Sequence, residues 1–497
     1  MDEELEHKDL VTKSLSSLLL LISRSGYMQI ISMVGVFLLT VFLGAAEFGL
    51  FFVVNEIVGI MGYFSDVGLA ASLIQKKTQP SVEAIRTSFT IQMSLVLLTS
   101  GLVILGGRWI GSYYHLDQTG MYLLWALVAS FVLSSLKTIP SVLLERKLQF
   151  DRLVIVETAE ALLFYGVAVF MAWQGMGLIS YVWAVLTRSM VGVILIYWLA
   201  PWPVGLAFEW GEIKDLFKFG IPYQGNTLIA MVKDRLLNVV LAGWIGITGM
   251  GYLGWAQTWS QRSLRFVSDN VTKVTFPAFS RMQDDRQKLG RSVEHMLFFS
   301  SVIIFPILVG TGVMVEPVSR LLTFWNNELG QQVSYYDKWH LAFFALYFYL
   351  YNSAWASIST PISNTLAAVG RITTVSKLMV MWTILTWGII APMGYWYGFN
   401  GVAVGVSIVA TFSIVPIVIL KRYVPYNFLA QVVPPALASL GMGIGVYMIS
   451  RYLPLNWVIV GLAMACGVIL YAGLLAMMSW KRMLATWVRL RTHYFQK

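Results

Sequence analysis

Residues 255–273, Trp-Ala-Gln-Thr-Trp-Ser-Gln-Arg-Ser-Leu-Arg-Phe-Val-Ser-Asp-Asn-Val-Thr-Lys, decide how this chain is read. They fall inside a succession of apolar stretches, each long enough to cross a bilayer, yet they carry Arg262, Arg265, Asp269 and Lys273. Spacings of three, four and four put these side chains on one stripe of a helix. An arginine facing lipid at the bilayer centre costs about 3 kcal/mol on insertion scales. The stripe is therefore expected to face protein or a water-filled cavity.

Composition supports a membrane setting. Of 497 residues 57% are hydrophobic and only 12% charged, about half the charge of a soluble domain. The mean hydropathy is +0.70. The single cysteine, Cys466, lies in an apolar span, which excludes a disulfide framework. The five histidines are scattered without metal-ligand spacing, and no cofactor is expected. The acidic, polar start and the long first apolar run do not read as a cleavable signal peptide.

A spanning helix needs roughly 20 apolar residues. Fourteen stretches qualify: 15–43, 48–74, 85–112, 119–144, 153–173, 178–200, 217–244, 249–277, 293–323, 339–369, 373–397, 400–420, 428–452 and 455–479. With the N-terminus in the cytoplasm, alternation leaves only Arg108, Lys338 and Arg451 in the outer loops. The inner segments hold the rest of those outside the spans, in clusters such as Lys76, Lys77 and Arg86, or Arg281, Arg286, Lys288 and Arg291. This is the positive-inside asymmetry, and it predicts an even number of spans with both termini cytoplasmic. The net charge of +10 is then topological, and no nucleic-acid partner is expected. No connection is long enough for a soluble catalytic domain, and no Walker-type phosphate loop is present.

A weak self-similarity appears at an offset of 202 residues. Leu43-Gly44 followed by Phe48-Gly49-Leu50 matches Ile245-Gly246 followed by Met250-Gly251-Tyr252. Such a repeat fits a transporter built from two bundles of like topology.

The charges left at membrane depth carry the functional reading. Arg24, in Ser-Arg-Ser-Gly of span one, has no acid three or four residues away. Lys233-Asp234-Arg235 lies mid-span in span seven, and its side chains fan over different faces. With Arg262 and Arg265 these form a cationic set, against the bland reading of a structural Arg–Asp pair. Arginine's planar fork suits bidentate contact with phosphate or carboxylate, so an anionic cargo is expected. The acids Glu56, Asp66, Glu157, Glu160 and Asp269 are candidates for a coupling ion. Glu157 and Glu160 also fit the first turns of span five, where acids suit the helix dipole. Asp66 also fits a helix-end role. Lys137, Lys273 and Arg320 fit snorkelling at span ends. Span ten carries Tyr347, Tyr349, Tyr351, Trp355 and several serines around Pro361, which suits either sugar-ring stacking or helix packing with a proline kink.

Three segments resemble a known family. Phe64-Ser-Asp-Val-Gly-Leu-Ala-Ala-Ser-Leu-Ile-Gln75 is similar to the end-of-span-two motif of polysaccharide flippases in the multidrug/oligosaccharidyl-lipid/polysaccharide exporter superfamily. Thr275-Phe-Pro-Ala-Phe-Ser-Arg-Met-Gln-Asp-Asp285 resembles the segment after span eight, and Pro140 with Leu144-Glu-Arg-Lys-Leu-Gln-Phe150 the span-four exit. The resemblance covers nearly the whole chain. It implies an all-α polytopic membrane protein with about 14 transmembrane helices, in two pseudo-symmetric six-helix lobes plus two C-terminal helices. The boundaries are then an N-terminus over 1–14, lobes over 15–200 and 217–420, a linker over 201–216, two further spans within 428–479, and a basic tail over 480–497.

The same resemblance implies a function. An undecaprenyl-diphosphate-linked oligosaccharide would be moved across the bacterial cytoplasmic membrane by alternating access through a cationic central cavity. Arg24 falls where superfamily members that flip lipid-linked precursors often place an arginine. The expected partners are that lipid-linked cargo, membrane lipids, other polysaccharide-assembly proteins and a coupling ion, H+ or Na+. A cation-coupled multidrug exporter of the same superfamily is the nearest alternative. A membrane glycan polymerase or ligase is the enzymatic one, although the outer loops are short for it.

Overall fold

In the computed structural model the described residues are 26–66, 68, 72–74, 79–211, 214, 224–225, 227–326 and 331–495; the side chains of Asp66, Asp269, Lys273 and residues from 480 onward are outside the described set. The described residues are almost entirely helical, as apolar sequence in lipid must be, because every backbone N–H and C=O has to be satisfied within the segment. The helices are α1 (26–42), α2 (Ala45–Asp66), α3 (Val82–Tyr113), α4 (Gln118–Leu136), α5 (Thr138–Arg146), α6 (Phe150–Trp173) and α7 (Ile179–Leu199). Helix resumes at Thr227 and passes a π-turn at Val232–Leu236. It continues as α8 (Leu237–Arg281), α9 (Arg286–Leu321), α10 (Tyr335–Ala368) and α11 (Ile372–Leu385). A second π-turn, Thr386–Ile390, leads into α12 (Ala391–Thr411), α13 (Ile414–Lys421), α14 (Phe428–Tyr452) and α15 (Trp457–Phe495). A short hairpin, β1 (Thr323–Asn326) and β2 (Gln331–Ser334), is the two-stranded sheet among the described residues.

Among the described residues eleven helical runs are long and apolar enough to cross a membrane. Two of these runs are each divided by a glycine outside helical φ/ψ, Gly246 (φ 78°) in α8 and Gly398 (φ 64°) in α12. Positive φ is cheap only without a Cβ, so glycine marks where one helix turns into the next.

The chain packs as two compact units that interleave along the sequence. The first comprises Met1–Gly254, Asn326–Gln331 and Met379–Phe399. The second comprises Trp255–Trp325, Gln332–Leu378 and Asn400–Lys497.

In the first unit the glycines of the 202-residue repeat meet each other. A Cβ on Gly49 would collide with the Ile247 carbonyl and the Gly251 backbone, and one on Gly251 with the Ala45 carbonyl. Ala45 and Ile247 are themselves repeat mates, so the contact is reciprocal: each copy's glycine rests on the other copy's turn. The weak sequence repeat therefore has a physical counterpart. Two helix starts approach backbone to backbone, which only glycine at both positions permits.

The rest of this unit packs on small residues and aromatics. Ala168 and Ala184 are fully buried on α6 and α7, and Phe51 of α2 stacks on Tyr181 of α7 at 4.0 Å. Polar ties join α1 to α6: Tyr27 with Thr158 at 3.0 Å, and Tyr165 donating to Ser32 at 3.2 Å. In the second unit the Trp255 ring stacks on Trp339 at 5.4 Å, and its indole N–H donates to the Tyr335 hydroxyl at 2.9 Å. That pairing buries the first residue of the opening stretch against α10.

Candidate functional site

The face of α2 that carries Glu56, Gly59 and Tyr63 packs on the helix of span seven. Arg235 donates to Glu56 at 3.1 Å, and the Asn238 side chain also hydrogen-bonds that carboxylate. The guanidinium lies over Gly59, in the volume where a Cβ would stand. Tyr63 donates to the Gln224 carbonyl at 3.1 Å. Lys233 pairs with neighbouring Asp234 at 2.5 Å. Both cations expected in span seven thus have acidic partners: Lys233 with Asp234, Arg235 with Glu56. Arg235 keeps 42% of its side chain exposed, so its ion pair is open to exchange.

The backbone beneath this cluster is a π-turn, Val232–Leu236. Such turns widen the helix, leave a carbonyl without its usual partner, and recur at functional sites. The Val232 carbonyl accepts from the Trp387 indole at 3.1 Å, and Trp387 sits in the second π-turn. One distortion thus supplies the donor for the other. Neither π-turn nor Trp387 has a sequence signal, since tryptophan in an apolar span reads as packing or interface.

Glu160 and Lys137 form a buried ion pair between α6 and the α4–α5 junction. Gly192 of α7 leaves the space that Glu160 occupies. This differs from the expectations for both residues. Lys137 turns inward rather than snorkelling. Because α6 begins at Phe150, Glu157 and Glu160 stand beyond its first turn, out of reach of the dipole's main effect. Arg188, also at membrane depth, lies over the Phe164 ring at 5.7 Å.

In the second unit Arg262 is half-buried and Arg265 exposed, one turn apart on α8. Arg265 donates to the neutral Gln261 side-chain oxygen at 3.2 Å. Arg24, and the side chains of Asp66 and Asp269, lie outside the described residues. In α10 Tyr349, Ser353, Ser357 and Ser359 are buried, whereas Tyr347 and Tyr351 are exposed. Helix continues through Pro361, whose carbonyl accepts from Thr365 at 2.8 Å. Arg320 forms an ion pair with Glu316 at 2.8 Å and covers the Tyr336 ring at 4.2 Å. No group of three or more metal-ligating side chains occurs among the described residues.

Comparison with known proteins agrees with this architecture. Residues 38–324 match the family model described as "Polysaccharide biosynthesis protein". Lipopolysaccharide biosynthesis protein WzxC of Escherichia coli (strain K12) is 24% identical over 365 residues, 73% of this chain and 71% of that protein. Teichuronic acid biosynthesis protein TuaB of Bacillus subtilis (strain 168) is 21% identical over 249 residues, 49% of this chain and 51% of that one. Among solved structures, the lipid II flippase MurJ in an inward closed conformation superposes with a TM-score of 0.73 at 15% identity. That match covers 93% of this chain and 100% of the other, and shows a shared fold.

Proposed function

The chain belongs to the polysaccharide biosynthesis protein family and is a multi-pass protein of the bacterial inner membrane; on that premise we propose that it is a flippase for a lipid-linked oligosaccharide. The cargo is an undecaprenyl-diphosphate-linked glycan, moved toward the outer leaflet by alternating access during assembly of a surface polysaccharide. The observation that carries this reading is Arg265, exposed at membrane depth with a neutral amide as its hydrogen-bond partner, one turn from Arg262. An arginine whose planar fork makes a single contact to a neutral amide has donors left for a phosphate group.

In this mechanism the diphosphate contacts Arg24, Arg262 and Arg265. Lys233 and Arg235 join by exchanging Asp234 and Glu56 for phosphate oxygens. Such exchange costs little when the displaced carboxylate takes a proton or stays near water. Of the coupling candidates, Glu56 is attached most directly to a cargo-facing cation, and its release from Arg235 would link ion uptake to cargo binding. An ion gradient or the membrane potential, worth about 2.3 kcal/mol per charge per 100 mV, supplies the drive. WzxC and TuaB, named for lipopolysaccharide and teichuronic acid biosynthesis, and the lipid II flippase MurJ support this substrate class.

The test is leaflet transfer of a fluorescent undecaprenyl-diphosphate oligosaccharide in proteoliposomes. The wild type is expected to transfer it, and Arg262→Ala/Arg265→Ala at equal reconstitution is expected to lose most transfer. Unchanged transfer in the double variant would return those arginines to structure. No transfer by the wild type, with efflux of a cationic dye, would favour the multidrug alternative.

A further inference from the structure

A cavity of about 900 Å3 lies wholly within the second unit, among α9, α10, α14 and the α14–α15 connection. That is near the top of the range of roughly 300–1,000 Å3 typical of ligand sites. Its two ends differ in chemistry. One is hydrocarbon, lined by Phe305, Leu308, Leu350 and Leu440. The other carries Glu316, Arg320 and Arg451, beside the β1–β2 hairpin and the α14–α15 connection. Arg320 is held by Glu316 at 2.8 Å. Among the described residues no carboxylate lies within ion-pair distance of Arg451, which is exposed.

The dimensions match one leaflet. Phe305 to Arg320 is fifteen residues of α9, about 22 Å at 1.5 Å per residue. Half a bilayer with its headgroups is about 21 Å. Tyr447 lies one turn before Arg451 on α14, offering a hydroxyl between the hydrocarbon and the charges. Two arginines and one glutamate leave this end with a single net positive charge. That complements a phosphodiester, which carries one negative charge, better than a diphosphate, which carries more.

We propose that this cavity binds an anionic glycerophospholipid. One acyl chain runs along Phe305, Leu350 and Leu440, and the phosphodiester sits between Arg320 and Arg451. The site uses none of the arginines of α8 and does not rest on the flippase reading. By the positive-inside reading its charged end faces the outer leaflet. A lipid there would fill the gap between α9, α10 and α14.

The test is native mass spectrometry of the full-length protein, delipidated and titrated with dioleoylphosphatidylglycerol, dioleoylphosphatidylcholine or undecaprenyl diphosphate. Phosphatidylglycerol is expected to bind in preference to the other two. Arg320→Gln and Arg451→Gln should each weaken it about fivefold, the effect of removing one basic residue near a lipid phosphate. Val313→Trp should block it by filling the middle of the cavity. Glu316→Gln should strengthen it by a similar factor, a gain that misfolding would not produce. Equal affinity in all variants, or equal binding of phosphatidylcholine, would overturn the proposal. So would preferential binding of undecaprenyl diphosphate with the same variant sensitivity, which would make the cavity a cargo site.

Discussion

Glu160→Gln separates a structural acid from a coupling one. The Lys137–Glu160 pair is largely shielded, with 15% and 11% of the two side chains exposed. Gln keeps the volume that Gly192 leaves open but removes the charge, so the Lys137 ammonium loses its counter-ion. Removing one partner of a buried pair costs about 3–5 kcal/mol. The flexible lysine stem gives the ammonium some access to water, which places the expected loss near the lower end, about 3 kcal/mol. Lys137→Met/Glu160→Gln removes both charges and should return to within about 1 kcal/mol of wild type. The double variant should therefore be about 2 kcal/mol more stable than Glu160→Gln alone, the reverse of what additive substitutions would give. The assay is unfolding of purified protein in mixed micelles, followed by tryptophan fluorescence, with fluorescence-detected size exclusion as a check on folding. A Glu160→Gln protein as stable as wild type would mean that the Lys137 ammonium needs no counter-ion there. If that variant also transported cargo without responding to an imposed proton gradient, Glu160 would be a coupling acid.

Three further outcomes are expected. Gly49→Ala and Gly251→Ala each drive a Cβ into the backbone of the other repeat; each should cost 1–3 kcal/mol or more, seen as a lower thermal-inactivation midpoint, while Gly106→Ala, with open space around it, should be neutral. Asp117 caps α4 by accepting from the Gly120 amide at 2.7 Å, and bonds from the Thr119 hydroxyl and that amide hold its carboxyl below the ordinary aspartate range. Asp117→Ala should cost about 1 kcal/mol. Because the folded pKa is depressed, the cap's contribution is complete above the ordinary value near pH 4 and is lost as pH falls through the lower folded value; the stability gap between wild type and variant should therefore close only below about pH 4. In a Cys466→Ser background, a cysteine at Gln283 should be shielded from an impermeant maleimide in intact cells and one at Gln331 labelled, if the positive-inside orientation holds; the reverse pattern would invert the topology.

Sequence alone was enough for the fold class and for the course of several helices. Hydropathy and charge asymmetry are local sums, and a bilayer enforces helix wherever twenty apolar residues run together, so the stretches 85–112, 153–173 and 428–452 needed no tertiary information. Family kinship was legible too, in short polar segments at span ends. The face of α2 bearing Glu56, Gly59 and Tyr63 followed from helical period alone. What that face meets did not. Periodicity places side chains on a stripe but says nothing about which helix lies opposite, so the partnership of Glu56 with Arg235, 179 residues away, was decided by packing. Packing likewise turned Lys137 toward Glu160 and set Trp387 beneath a π-turn. It also converted a faint repeat into a reciprocal glycine contact. These are through-space pairings between residues whose local sequences look ordinary. In a membrane protein, where apolar surface faces apolar solvent, such pairings rest on close backbone approach and matched polar groups rather than on hydrophobicity.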